Sequence, residues 1–206
     1  MDESPAEMPG CSDAPAGFTW GGPALWWDSS WFPQLPEDVS SAVFTFDFRD
    51  YGESQPGRGA SLELTKDALA ALINTAKFDG IDPMRIVTAG TSIGSDGAPD
   101  GCLLFNQSVG VGCLDAISLS PGSYLDMPLK DVVAGLDPLE SSVPVWCLAA
   151  EFDGPSPNTC NSATSDQYRI QIYEGKDEQG MMLVDPQFDP DPLTLLLGFL
   201  SEMIIW

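Results

Sequence analysis

Gly90-Thr91-Ser92-Ile93-Gly94 sets one serine between two glycines. The apolar run Arg85-Ile86-Val87-Thr88-Ala89 precedes it and small residues follow, so the pattern predicts a buried strand, a sharp turn and a helix start. The glycines are needed because side chains at those positions would collide across the turn. A serine presented this way is a candidate nucleophile. Its hydroxyl reacts at neutral pH only once an adjacent base takes its proton, and the same base must later protonate the leaving atom. Histidine is the usual group for that task, because its ordinary pKa lies in the physiological window. The 206-residue chain contains no histidine. That count removes every His-dependent mechanism, and with it a His-ligated zinc or haem iron.

The remaining ligand types offer little. Asp185, Asp189 and Asp191 carry carboxylates, yet the interleaved prolines and the lack of EF-hand spacing read as a solvated loop. Met181-Met182-Leu183 reads as core rather than as a sulfur ligand set. No metal and no cofactor is therefore expected. Asn106-Gln107-Ser108 matches a glycosylation sequon, which has meaning only in a eukaryotic secretory setting. Five cysteines stand at 11, 102, 113, 147 and 160, none in a C-x-x-C arrangement. Cys102 and Cys113 bracket one short Gly-containing stretch, and Cys147 and Cys160 bracket a second with two prolines. Disulfides 102–113 and 147–160 would close both stretches and leave Cys11 over; five buried thiols are the alternative.

With 8 basic against 31 acidic residues the formal charge is −23, which repels phosphate backbones and anionic leaflets. Nucleic-acid binding is excluded on this ground. No run of eighteen apolar residues occurs, so membrane insertion by this chain is not expected. At 43% hydrophobic and 10% aromatic residues, the chain can cover a core of ordinary domain size. Two disulfides would place it in an extracellular or periplasmic compartment, its signal absent from this numbering. An excess of Asp with few Lys also suits the cytoplasm of a salt-adapted organism.

The elements that must position Ser92 follow from periodicity. Residues 1–40 read as an irregular Pro/Gly/Trp-rich segment, whose Trp20, Trp26, Trp27 and Trp31 either pack onto the sheet or form a surface for a protein partner. Residues 41–206 read as one domain. Strands are expected at Ala42–Phe46, Arg85–Ala89, Cys113–Leu119, Val143–Ala150 and Tyr168–Tyr173. Helical spacing runs from a Ser61 cap to Phe78, a short helix is expected within 157–166, and Leu193–Ile205 is apolar enough to be largely buried. Pro99 should cut short the helix after Ser92. Strands alternating with helices imply a mostly parallel, doubly wound α/β sheet flanked by helices.

From about Trp31 onward the chain resembles the α/β-hydrolase family, specifically its compact members without a cap domain, similar to dienelactone hydrolases and small bacterial esterases. FDFRDYGES resembles the loop after a central strand, with Asp50 where glycine is usual. GIDPMRIVTAGTSIGSDGA resembles the strand and nucleophile elbow, ISLSPGSY the following strand and its exit, and VPVWCLAAEFDG the strand that delivers the triad acid. YRIQIYEGKDEQGMML resembles the last strand and the loop carrying the triad base. The resemblance implies Ser92 as nucleophile, Asp153 as triad acid and the Ile93 N–H as one oxyanion donor. It puts Gln179 at the base position, where the family has histidine before glycine.

An amide does not titrate in this range and cannot act as that base. Glu178 is the only titratable neighbour that could substitute, and a carboxylate is a weak base for a serine hydroxyl. The second oxyanion donor should come from a loop after an earlier strand, but no apolar run of four precedes Trp31, so the N-terminal strands read as reduced, with Trp20-Gly21-Gly22 as the remnant of that loop. Three readings stay open: a catalytically impaired hydrolase-like protein with a structural, binding or assembly role, a serine hydrolase of esters or lactones with an atypical base, and an inactivated His-to-Gln variant of one.

Overall fold

The computed structural model describes residues 17–20, 42–51, 54, 64–110, 112–138, 142–184 and 187–204. Six strands form one sheet: β1 (Gly17–Trp20), β2 (Val43–Phe46), β3 (Ile86–Thr91), β4 (Cys113–Leu119), β5 (Val145–Ala150) and β6 (Tyr168–Tyr173). Their order is β2-β1-β3-β4-β5-β6, and every neighbouring pair is parallel. Parallel neighbours need crossovers, and the helices supply them: α1 (Leu64–Thr75), α2 (Ile93–Val109), α3 (Leu129–Leu136) and α4 (Ser156–Ser162), with α5 (Pro192–Ile204) closing the chain.

The sheet is buried on both faces, which is why every residue of β3 and β5 is buried and β5 reads as an unbroken apolar run. Leu64, Ala68 and Leu72 of α1, Ala98 and Leu103 of α2, and Val132 and Leu136 of α3 pack on one face. Leu196, Phe199 and Leu200 of α5 pack on the other, with Val87, Ile117, Trp146 and Leu148 of the sheet. The expected α/β architecture is therefore the observed one. α5 buries one stripe rather than its whole surface: Thr194 and Gly198 face outward. Leu183 is core, while Met182 beside it is 60% exposed, so the expected apolar triplet only partly faces inward. Ser61 lies outside the described residues.

Three expectations change. The segment 1–40 contains a strand, β1, paired with β2 from Gly17↔Val43 to Trp20↔Phe46 and touching β3 at Trp20↔Gly90. The strand expected to be missing is thus present; its two aromatics, Phe18 and Trp20, alternate over only four residues, too short a run to stand out, and pairing on both sides defines it. The second change is α2, which runs through Pro99 to Val109. An interior proline costs about 3 kcal/mol, but every residue from Gly94 to Leu103 is buried, and the packing outweighs the lost hydrogen bond. The third is Asn106, which is not an accessible glycan acceptor: it is buried, its Nδ2 donates to the Cys113 carbonyl at 2.8 Å and its Oδ1 accepts the Cys113 N–H at 2.8 Å. α3, which the sequence reading left without an element, buries Leu129, Val132, Val133 and Leu136.

Both expected disulfides are present. Cys102 of α2 joins Cys113 of β4 with Cα atoms 5.3 Å apart, and Cys147 of β5 joins Cys160 of α4 at 5.6 Å. Each staples a helix to the sheet, and all four sulfurs belong to the core. Cys11 lies outside the described residues. Alkylation in denaturant without reductant should therefore label one cysteine by mass, and reduction first should label all five. Closing loops of this length contributes about 3 kcal/mol each, so reduction of both should lower the thermal midpoint by roughly 12–24 °C, at about 2–4 °C per kcal/mol for a chain of this size.

Candidate active site

Ser92 occupies the sharp turn between β3 and α2 with φ 53° and ψ −121°. Left-handed φ is rare for a residue with a side chain, and its cost is met by the surroundings. The Ser92 N–H donates to the Leu119 carbonyl of β4 at 3.0 Å, and the Ser92 carbonyl accepts the Ser95 N–H at 2.9 Å. Gly90 is required by close approach: a Cβ there would lie 2.0 Å from the Gly94 carbonyl oxygen. The side chain of Ser92 is exposed. Ile93 opens α2, so its N–H has no acceptor within the helix, as an oxyanion donor requires. Gly21 lies outside the described residues; the chain leaves β1 at Trp20, which pairs with Gly90, two residues before Ser92.

The other sites named from the sequence come from the carboxyl ends of neighbouring strands, where parallel α/β sheets build their sites. Asp153 follows β5 and is 3% exposed. Its Oδ2 has no hydrogen-bond partner among the described residues. A buried carboxylate oxygen of this kind is the acceptor that a triad base would fill. Gln179 and Glu178 lie on the loop after β6. That loop is pinned at Gly180, whose N–H donates to the buried Ser120 Oγ at 2.6 Å. Gly180 has φ 56°, and a Cβ on it would stand 3.5 Å from the Thr91 Cβ, beside the elbow. Gln179, the residue before Gly180, has its side chain exposed. Glu178 turns back on its own loop, its Oε2 accepting the Asp177 N–H at 3.1 Å. Asp191, weighed above as a calcium ligand, instead caps α5 by accepting the Leu193 N–H at 3.3 Å and the Thr194 N–H at 3.1 Å. Among the described residues no cluster of His, Cys, Asp or Glu could hold a metal ion.

Asp50 stands where the resemblance has glycine, and it has φ 66°. The position demands a left-handed backbone, which Asp tolerates better than most residues. Next to it, Arg49 ties the loop to α1 by forking onto both oxygens of Asp67, with Nε 2.8 Å from Oδ2.

The sequence reading missed four residues at the site: Ser120, Tyr124, Asp96 and Asp100. Ser120 and Tyr124 follow β4 on its carboxyl side, a signal available once β4 is placed next to β3. Burial first, then the charges of Asp153 and Asp96, pushes the Tyr124 phenol above the ordinary range. Asp96 lies one helical turn beyond Ser92 and accepts the Tyr124 N–H on Oδ2. Burial raises its pKa to about 6, opposed by the backbone amides of residues 122–125. Asp100 lies one further turn along, its Oδ2 3.4 Å from the Thr65 Oγ1. Burial first, then repulsion from Asp96, pushes its pKa up to about 8. A groove of about 650 Å³ between β2 and α1, lined by Phe44, Phe46 and Phe78, does not include Ser92.

This parallel sheet order, with a tight serine turn between β3 and α2, is an α/β-hydrolase-like fold. The chain is similar in structure to a predicted CIB-like hydrolase from Thermoplasma acidophilum, with TM-score 0.62, 14% identity, and 93% of this chain and 88% of that one covered. It is also similar to the esterase Pf2001 of Pyrococcus furiosus, with TM-score 0.59, 16% identity and coverage of 94% and 84%. A third similar structure is RedJ, a thioesterase from the prodiginine biosynthetic pathway in Streptomyces coelicolor, with TM-score 0.56, 15% identity and 97% of each chain covered. No protein-family model matches the sequence, and no curated protein matches it either.

Asp96 and Asp100 titrate higher in the folded chain than the ordinary carboxyl value of 3.8, so the folded state keeps protons that an unfolded chain releases. Their contribution to stability is complete below the ordinary carboxyl range and is lost as pH rises through about 6 and about 8. Asp100→Asn keeps the shape without the titration. Its thermal midpoint should exceed that of the unaltered protein by several degrees at about pH 8, with the gap closing by about pH 4. Parallel melting curves across that range would contradict the burial argument.

Proposed function

We propose that this protein is a catalytically impaired member of the hydrolase-fold group, compact and without a cap domain, that serves as a binding or assembly component. The observation that carries the reading is the base position. The loop after β6 is tied at Gly180 to Ser120 and packs against Thr91, which supports reading its Gln179, an amide, as the occupant of the base position. No histidine exists elsewhere in the chain to be recruited. The unpartnered oxygen of buried Asp153 supports the same reading, since it faces no imidazole. Loss of a general base costs orders of magnitude in turnover, leaving only what binding and oxyanion donors supply.

Two core disulfides fit an oxidising compartment, and we place the protein outside the cytoplasm. The tryptophans of the N-terminal segment are our candidate partner surface, and the acidic charge argues against nucleic acid as that partner. The reading of Glu178 as a substitute base is less well supported, since its carboxylate is engaged by the Asp177 N–H.

Hydrolysis of p-nitrophenyl butyrate tests the proposal. The unaltered protein should show no rate that depends on Ser92. Gln179→His should raise the rate by about a hundredfold or more, and adding Ser92→Ala should abolish the gain. Turnover by the unaltered chain that is lost in Ser92→Ala and in Glu178→Gln would overturn the reading in favour of a serine hydrolase with a carboxylate base.

A further inference from the structure

β6 ends the sheet with an edge that nothing among the described residues pairs with. On its inner side the Val145 N–H of β5 donates to the Gln167 carbonyl at 3.2 Å, and the Glu151 N–H donates to the Tyr173 carbonyl at 3.0 Å. The odd-numbered residues therefore aim their backbone groups at β5, and alternation turns those of Ile170 and Ile172 outward. The Ile170 N–H and carbonyl and the Ile172 N–H have no hydrogen-bond partner among the described residues; the Ile172 carbonyl takes the Gln171 side-chain amide at 3.2 Å. Native edges are usually blunted by short length, proline, a bulge or charge. β6 has six residues, no proline and an unbroken register with β5. Its one charge, Arg169, is drawn onto the sheet face, 5.6 Å from the centre of the Trp146 ring. Ile170 is 42% exposed.

Beside the second half of this edge lies a cavity of about 330 Å³, lined by residues 171–174 together with Lys176, Phe188 and Asp189. Glu174 and Asp189 are exposed and have no hydrogen bond or ion pair among the described residues. The ammonium of Lys176, the cavity's one cation, sits 4.9 Å from the centre of the Phe188 ring. Ile170 shares its face of the sheet with Tyr168 and Ile172, which pack on the core under α1–α3, whereas Tyr173 and Phe188 at the cavity belong to the α5 side. We propose that β6 accepts an extended, basic peptide segment of another protein as a further strand, with an apolar side chain on Ile170 and the next Lys or Arg in this cavity. Backbone pairing supplies the hydrogen bonds, and alternate side chains supply the selectivity. Successive residues of an added strand point to opposite faces, so apolar–basic alternation meets Ile170 on one face and the two carboxylates on the other. A formal charge of −23 attracts such a partner and repels a second copy of this chain. The inference goes beyond the reading of Ser92, which lies after β3, three strands away, and it holds whether or not that serine reacts.

Amide hydrogen exchange followed by NMR tests the edge, with acetyl-SKVKVS-amide as the probe and acetyl-SEVEVS-amide as its acidic control. The basic peptide in excess should slow exchange at the Ile170 and Ile172 amides by about tenfold or more, while the amides of β3, in the middle of the sheet, keep their rates. The acidic peptide should protect neither. Fluorescence anisotropy at low salt should show the basic peptide weakened roughly two- to fivefold by Glu174→Gln and by Asp189→Asn, the worth of an exposed ion pair. The inference is overturned if the basic peptide protects neither amide, if the acidic peptide protects them equally, or if the double variant binds the basic peptide with unaltered affinity. Protection of the two amides that grows with protein concentration in the absence of peptide, with a dimer mass in sedimentation, would overturn it in favour of a second copy on this edge.

Discussion

Gly90 and Gly94 meet across the Ser92 turn with no room for a Cβ on Gly90, and this contact lets β3 pass into α2 within one residue. The left-handed backbone of Ser92 is unfavourable by itself. It persists because β3 is buried between β1 and β4 and because α2 is buried along nearly three turns. The hydroxyl is thus held above the carboxyl edge of the sheet by structure on every side. Everything else at the site is arranged around this turn: Leu119 of β4 accepts its N–H, Gly180 rests against Thr91 before it, and Asp96 projects one helical turn beyond it.

The buried acids show what α2 gives up for that position. A carboxyl group removed from water resists ionisation, and two of them one turn apart resist it more. Asp96 regains part of the loss by accepting backbone amides from the 122–125 loop, the usual way a buried polar group is made tolerable. Asp100 has only a long contact to Thr65. A helix with an interior proline and two buried acids is a poor helix by propensity, and its place in the core holds it together. The Cys102–Cys113 disulfide and the two-way pairing of Asn106 with Cys113 fasten its far end to β4, so α2 is fixed at both ends of its run.

The parallel sheet explains why residues distant in sequence converge. Each crossover returns the chain to the same edge, so Ser92, Ser120 and Asp153 follow three adjacent strands, and the loop after the fourth brings Gln179. Asp153 keeps an oxygen without a partner among the described residues, and Tyr124 follows β4 with its N–H on the Asp96 carboxylate. The solved structures that share this fold are 14–16% identical to the chain, so what they act on does not transfer to it.

The sequence by itself determined the chemistry that is absent and the elements that repeat. Zero histidines needs no coordinates, and neither does a serine between glycines after a buried run. β4 and β6 were legible to the residue because β-branched and aromatic residues bounded by turn formers leave few alternatives, and the two disulfides because each pair encloses a short loop. Tertiary structure alone decided the rest. β1 is four residues that become a strand only by pairing on both sides, α2 passes Pro99 because burial outweighs propensity, and Asn106 is sequestered by a backbone that lies beside it only after folding. Tyr124 and Asp96 are 28 positions apart. Local pattern carries no information about contacts at such separation, which arise only when the sheet brings β3 and β4 side by side.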